Sequence, residues 1–172
     1  SAGDILFRTR NPRDTRDDVT EDYLECISLI ERLHRHFLEL VKAELDRLGV
    51  EDINNVQSLI LYNIGSDELT VGELTNRGYY LGSNVSYNVK KMVENGYLLQ
   101  ERSAHDRRSV RVRVSDKGLD LVGRIDVMYQ RHVEGLTPES ISPDELKQIA
   151  HNLRRLDSYW TSLQQFGLRG AP

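Results

Sequence analysis

The sequence predicts a mainly α fold carrying one small β-hairpin, and three observations lead there. Six stretches repeat apolar residues at three- and four-residue steps, the period of an amphipathic helix. Val110-Arg111-Val112-Arg113-Val114 instead alternates apolar and charged residues, as a half-buried strand does, and Tyr97–Arg102 is a second short strand-like run just upstream. Between these two runs lies a charged tip, His105-Asp106-Arg107-Arg108. Two short helices followed by strand, basic loop and strand describe a winged helix-turn-helix, an α+β core that here is flanked by longer helices.

Taken in order, residues 1–19 are polar and charged and are expected to form a flexible arm. Thr20 is placed to cap a helix reaching Leu48, where Gly49 stops it; Tyr23, Ile27, Ile30, Leu33, Phe37, Leu40, Val41, Leu45 and Leu48 make its apolar stripe. A second helix is expected over residues 54–64. Thr70 and Glu73 have capping-box spacing and open a third helix that stops near Gly78. Ser83 caps a fourth, running to Asn95 with Gly96 as its stop; Val85, Val89, Met92 and Val93 face inward, leaving Asn84, Ser86, Tyr87, Asn88, Lys90 and Lys91 on or near the outer face. Beyond the hairpin, Ser115 caps a helix to about Gly135 with Leu119, Val122, Ile125, Val127, Met128, Tyr129 and Val133 as its apolar residues. Ser142-Pro143-Asp144-Glu145 is another capping box, with proline at the first helical position, and Gly167 is the expected stop of the last helix. The expected divisions are an arm (1–19), a dimerisation helix (20–52), a winged helix-turn-helix (53–115), C-terminal dimerisation helices (116–166) and a tail (167–172).

Composition narrows the function classes. The chain has 172 residues, 38% hydrophobic and 29% charged, with no apolar run near the roughly 18 residues a membrane span requires. One cysteine, Cys26, excludes an internal disulfide framework and fits a reducing compartment, so a cytoplasmic location and no membrane partner are expected. The net charge of −4 divides unevenly: residues 83–113 carry seven Lys and Arg against three Asp and Glu, so a basic segment sits in an otherwise acidic chain. That asymmetry, together with the hairpin and the fourth helix, points to double-stranded DNA as partner. No nucleophile elbow, phosphate loop or metal-ligand spacing is present, so neither an enzyme nor a cofactor is expected. His34 and His36 are two apart and face different sides of a helix, and no histidines form the i, i+4 pair of a helical metal site. Long flanking helices with apolar stripes exceed what a small winged domain buries alone, so a homodimer is the expected assembly. A winged-helix module that docks an acidic protein partner is the alternative.

These residues resemble the MarR family of bacterial transcription regulators. Its wing pattern, Asp-x-Arg, three residues, aliphatic-x-aliphatic, Ser or Thr, two residues, Gly, falls on Asp106, Arg108, Val112, Val114, Ser115 and Gly118 without a gap. The run Leu69–Ser103 resembles the family's helix-turn-helix through its first wing strand, and the likeness extends over roughly residues 20–166. It departs from the family at Tyr79-Tyr80-Leu81-Gly82, which replaces a more usual small-residue turn.

The resemblance implies a homodimer on a pseudo-palindromic operator, usually a repressor, often released by a small aromatic or phenolic effector. It implies that Arg108 enters the minor groove, with Asp106 orienting the tip and Arg107 beside it. On the fourth helix, Asn84, Ser86, Tyr87 and Asn88 suit base edges, Lys90 and Lys91 suit phosphates, and Ser83 is a cap that can touch phosphate. Arg111 and Arg113 share a strand face, where one reaches phosphate or pairs with Glu101 across the hairpin; Arg77 is a weaker phosphate candidate. For the effector, His34, Phe37, Tyr62 and Tyr129 are the candidate contacts. One subgroup of the family senses peroxide through a cysteine on its first helix, which raises redox sensing at Cys26; its place on the apolar stripe instead predicts a small buried hydrophobe.

Overall fold

Pro12 opens the first helix, α1 (Pro12–Arg47), in the first-turn position where its missing N–H costs nothing. The computed structural model describes residues 12–77, 82–102, 105 and 109–168, and the chain divides into two units, residues 1–123 and 124–172. Part of the expected arm is therefore helix; residues 1–11 lie outside the described ones. Thr20 is no cap: its hydroxyl donates back to the Arg16 carbonyl at 2.9 Å, a mid-helix bond. Gly49 ends the run with φ 70°. Only the C-terminal part of the stripe enters the core, with Val41 and Leu45 buried while Leu33 and Leu40 stay exposed.

Helix α2 (Asn55–Ile64) starts at a complete capping box: the Gln57 N–H donates to Asn54 Oδ1 at 2.8 Å and the Asn54 N–H to Gln57 Oε1 at 3.1 Å. Leu59, Ile60, Leu61 and Ile64 make it the centre of the first unit's core. A two-residue strand, β1 (Leu69–Thr70), precedes α3 (Val71–Asn76), and the Thr70 hydroxyl accepts from the Glu73 N–H at 3.1 Å. Helix α4 (Gly82–Glu94) buries Val85, Val89 and Met92. Strands β2 (Leu98–Arg102) and β3 (Val110–Val114) form the antiparallel hairpin, and β1 adds to it in the order β1-β3-β2. Leu98 lies opposite Val114 and Glu101 opposite Arg111. The alternation in β3 puts Val112 and Val114 in the core and Arg111 and Arg113 in solvent.

Helix α5 (Asp116–Gly135) begins at Ser115, whose hydroxyl accepts from the Gly118 N–H at 3.1 Å and donates to the Gly96 carbonyl at 2.6 Å. Its buried face differs from the expected one. Leu121, Ile125 and Met128 are buried at three- and four-residue steps, whereas Leu119, Val127 and Val133 are exposed. Helix α6 (Pro143–Leu168) has both halves of its capping box, Ser142 N–H to Glu145 Oε1 at 3.1 Å and Glu145 N–H to Ser142 Oγ at 3.2 Å. It continues through the expected stop at Gly167. Leu146, Ile149, Leu153, Tyr159, Leu163 and Phe166 along it are exposed in the protomer.

Candidate nucleic-acid interface

The face of α4 turned away from the core carries Asn84, Ser86, Tyr87 and Lys90, all exposed; Tyr87 shows 60% of its surface. Lys91 is half-buried, 3.6 Å from Glu94, with its ammonium 6.0 Å from the Tyr87 ring centre. Ser83 lies in the first turn of α4, but its side chain is outside the described residues. Asp106, Arg107 and Arg108, which follow β2 and precede β3 in the sequence, also lie outside the described residues. Beside the tip His105 is exposed, as are Arg102 and Arg111 on the strands. Arg113 pairs diagonally with Glu101 at 3.5 Å, so Glu101 engages that arginine and not Arg111 directly across. The hairpin thus presents a cationic edge next to the polar face of α4.

A groove of about 840 Å³ separates these two elements, floored by Val89, Val93 and Val110 and rimmed by Thr70, Ser86, Lys90 and Gln100. None of the four candidate effector residues lines it. His34 is exposed on α1, Phe37 and Tyr62 are half-buried on α1 and α2, and Tyr129 is half-buried on α5. The Tyr129 ring meets His132 edge-on at 6.4 Å, and burial, followed by the charge of Asp126, raises its phenol pKa. Cys26 is exposed in the protomer, not buried as its place on the stripe predicted. Among the described residues no group of three or more His, Cys, Asp and Glu is arranged to hold a metal ion.

Two sequence-derived candidates have intramolecular partners in the structure. Asn88 is half-buried and its side-chain oxygen accepts from Gln57 Nε2 at 3.2 Å, so that oxygen is turned toward α2 rather than outward. The apolar stripe of α4 misplaces it because Asn88 borders Val89 and sits over the start of α2. Arg77 donates to Asp67 at 2.9 Å and to the Asn63 carbonyl at 3.2 Å, tying the end of α3 to the preceding loop.

A polar cluster that the sequence reading did not find lies at the far end of α4. Tyr97 Oη donates to Asp52 Oδ1 at 2.5 Å, and Lys117 Nζ lies 2.7 Å from Asp52 Oδ2. Lys117 also donates to the Asn95 carbonyl at 2.9 Å and stands 4.3 Å above the Tyr97 ring. Asn95 Nδ2 in turn donates to the Asp52 carbonyl at 2.9 Å. The Lys117 and Tyr97 hydrogen bonds hold the Asp52 carboxyl below the usual carboxylate range, and burial beside that carboxylate pushes the Tyr97 phenol up. These partners are 45 and 65 residues apart in the chain, so no local spacing announces them.

Comparison with known proteins agrees with this architecture. A family model described as MarR family matches residues 51–109. The exopolysaccharide II synthesis transcriptional activator ExpG of Rhizobium meliloti (strain 1021) is 36% identical over 159 residues, covering 91% of this chain and 82% of that protein. YsmB, an uncharacterized HTH-type transcriptional regulator of Bacillus subtilis (strain 168), is 24% identical over 147 residues, 80% of this chain and 99% of its own length. Among solved structures, the transcriptional regulator SlyA superposes with a TM-score of 0.69 at 17% identity over 82% of this chain and 97% of its own. Streptococcus pneumoniae FabT, solved in complex with DNA, gives 0.63 at 19% identity over 82% of this chain and 99% of its own. With a curated relative this similar along most of both sequences, the chain belongs to the MarR family of winged-helix transcription regulators.

Proposed function

We propose that the chain works as a homodimer on a pseudo-palindromic duplex operator, each protomer setting α4 in a major groove and its hairpin tip in the adjoining minor groove. The observation that carries this is the exposed polar and cationic face of α4 beside an arginine-bearing hairpin. Asn84, Ser86 and Tyr87 offer groups for base edges, Lys90, Lys91 and Arg111 offer charge to phosphates, and Asp106, Arg107 and Arg108 fall between the two strands in the sequence. With its oxygen on Gln57, Asn88 has its amide nitrogen left to offer a base. The apolar side chains exposed along α1 and α6 are the material of the dimer contact, with a second copy as their partner.

The direction of regulation follows from where the operator lies. A dimer seated over a promoter excludes polymerase and represses, the family's usual mode, whereas one bound upstream can recruit it; the 36%-identical relative is described as an activator. Release by a small aromatic or phenolic effector belongs to the same reading, as does a cytoplasmic site of action. A panel of phenolic acids added to the protein–operator complex checks it, release by any member being the expected result.

The deciding measurement is fluorescence anisotropy of a duplex selected from a random pool, run against salt. Specific binding with a steep inverse salt dependence is expected. Arg108→Ala is expected to weaken operator affinity at least tenfold, on the order of one lost base-pair contact, with an unchanged melting temperature. Affinity for an acidic protein with no duplex binding would instead establish the protein-docking alternative.

A further inference from the structure

We infer that the segment from Asp52 to Gln57 is a positioning device for α4, fixing the tilt at which the helix is held relative to α1. This rests on α4 being the helix that enters the groove. Val85, Val89 and Met92 seat α4 on the core, but apolar burial has no direction and leaves a helix free to roll and slide. Direction comes from hydrogen bonds at two places. Midway along, Asn88 Oδ1 accepts from Gln57 Nε2 at 3.2 Å; one residue past the end, Asn95, whose N–H still bonds the Lys91 carbonyl at 3.0 Å, donates its Nδ2 to the Asp52 carbonyl at 2.9 Å. Seven residues separate Asn88 from Asn95, close to two full turns, so both sit on one side of the helix about 10 Å apart along its axis. One attachment would act as a pivot. Two attachments on the same short segment set an angle.

The segment is itself held. Gln57 is buried and uses both ends of its amide, accepting from the Asn54 N–H at 3.1 Å while donating to Asn88. Asn55 Nδ2 donates to the Leu38 carbonyl of α1 at 3.2 Å. Asp52 is pinned by the Tyr97 hydroxyl and the Lys117 ammonium, and Lys117 also binds the Asn95 carbonyl. The connections therefore run from α1 through residues 52–57 to the middle of α4 and to the residue that follows its end. In a dimer joined through α1, the tilt of each α4 sets the distance and phase between the two reading heads. Gln57, Asp52 and Tyr97 then govern how strictly the protein discriminates operators, without touching DNA.

The test uses the full chain, a duplex selected from a random pool by the unaltered protein, the same duplex with its half-sites moved one base pair closer or farther, and a scrambled duplex. Gln57→Met releases the middle attachment and Tyr97→Phe loosens the end one; Asp52→Asn, which keeps an acceptor for the phenol, is the conservative companion to Asp52→Ala. Each releasing variant is expected to bind the scrambled duplex as the parent does, with the same salt slope. The selected duplex is expected to bind about tenfold more weakly, and the penalty for shifted spacing to shrink toward none. Asp52→Asn is expected to retain more discrimination than Asp52→Ala. Lys90→Ala, a phosphate contact, serves as the contrast: a lower salt slope with spacing preference kept. Folded variants that keep the parent's spacing penalty, or that lose selected and scrambled binding in step with melting temperature, would overturn the positioning role alone. An unaltered protein that binds no duplex would overturn the role of α4 and the positioning with it.

Discussion

A Cβ built on Gly118 would collide with the Tyr97 carbonyl oxygen and stand 2.6 Å from Val114 Cγ1, because α5 leaves β3 pressed against the α4–β2 turn. That oxygen is backbone and already accepts the Ser115 N–H at 3.0 Å, so it has little room to give. Gly118→Ala is expected to cost about 1–3 kcal/mol, the usual range for overpacking, measured by urea unfolding. The wing pattern in the sequence ends on this glycine, and the close approach supplies its physical reason. Asp52 makes a pH-dependent contribution. Its folded-state pKa lies below the unfolded value of about 3.9, so the stabilisation is complete above that pH and disappears as pH falls through the lower folded value. The melting-temperature gap between the parent and Asp52→Asn is therefore expected to narrow below about pH 4. Tyr97, facing Asp52 and Lys117, has the opposite sign: its raised phenol pKa stabilises the fold at neutral pH and ceases to do so as pH climbs beyond about 10, which Tyr97→Phe is expected to flatten.

At the scale of elements, caps decide where helices start. Ser115 joins two of them, accepting from the first turn of α5 and donating to the Gly96 carbonyl where α4 ends, with Gly96 at φ 82°. Ser115→Ala removes both bonds at a buried site and is expected to cost about 1–2 kcal/mol by thermal unfolding. The caps at Thr70 and Ser142 were legible because their partners are three residues apart, although at Thr70 only the hydroxyl half of the expected box forms. Asn54 and Gln57 form an equally legible box that the reading passed over. Thr20 misled: a threonine ahead of an apolar stripe looks like a cap, but Asn11-Pro12 is an earlier start signal and the helix had already begun. Strand β1 left no trace, since two residues carry no period.

On the scale of the whole molecule, exposed apolar side chains on α1 and α6 call for a partner. Leu33 and Leu153 are 63% and 49% exposed in the protomer, more than a solvated surface ordinarily leaves in a row. Sedimentation equilibrium is expected to give a dimer, and the double variant Leu33→Asp with Leu153→Asp a monomer. That monomer should keep its fold and its non-specific duplex binding while operator affinity falls by orders of magnitude, because two linked half-sites act at high effective concentration. An acidic chain with one basic stretch repels phosphate everywhere but at that stretch.

Sequence alone determined the order of helices, the hairpin with its alternating face, the caps with short spacing and the family. All of these are local or periodic, and period and capping chemistry are written in neighbouring residues. The tertiary structure decided which side of each helix is buried: it moved the inner face of α5 to Leu121, Ile125 and Met128 and turned the Asn88 oxygen onto Gln57. It also assembled Asp52, Tyr97 and Lys117 from three distant segments. A hydrogen bond between remote residues depends on where the chain returns in space, and that position is a property of the packed core.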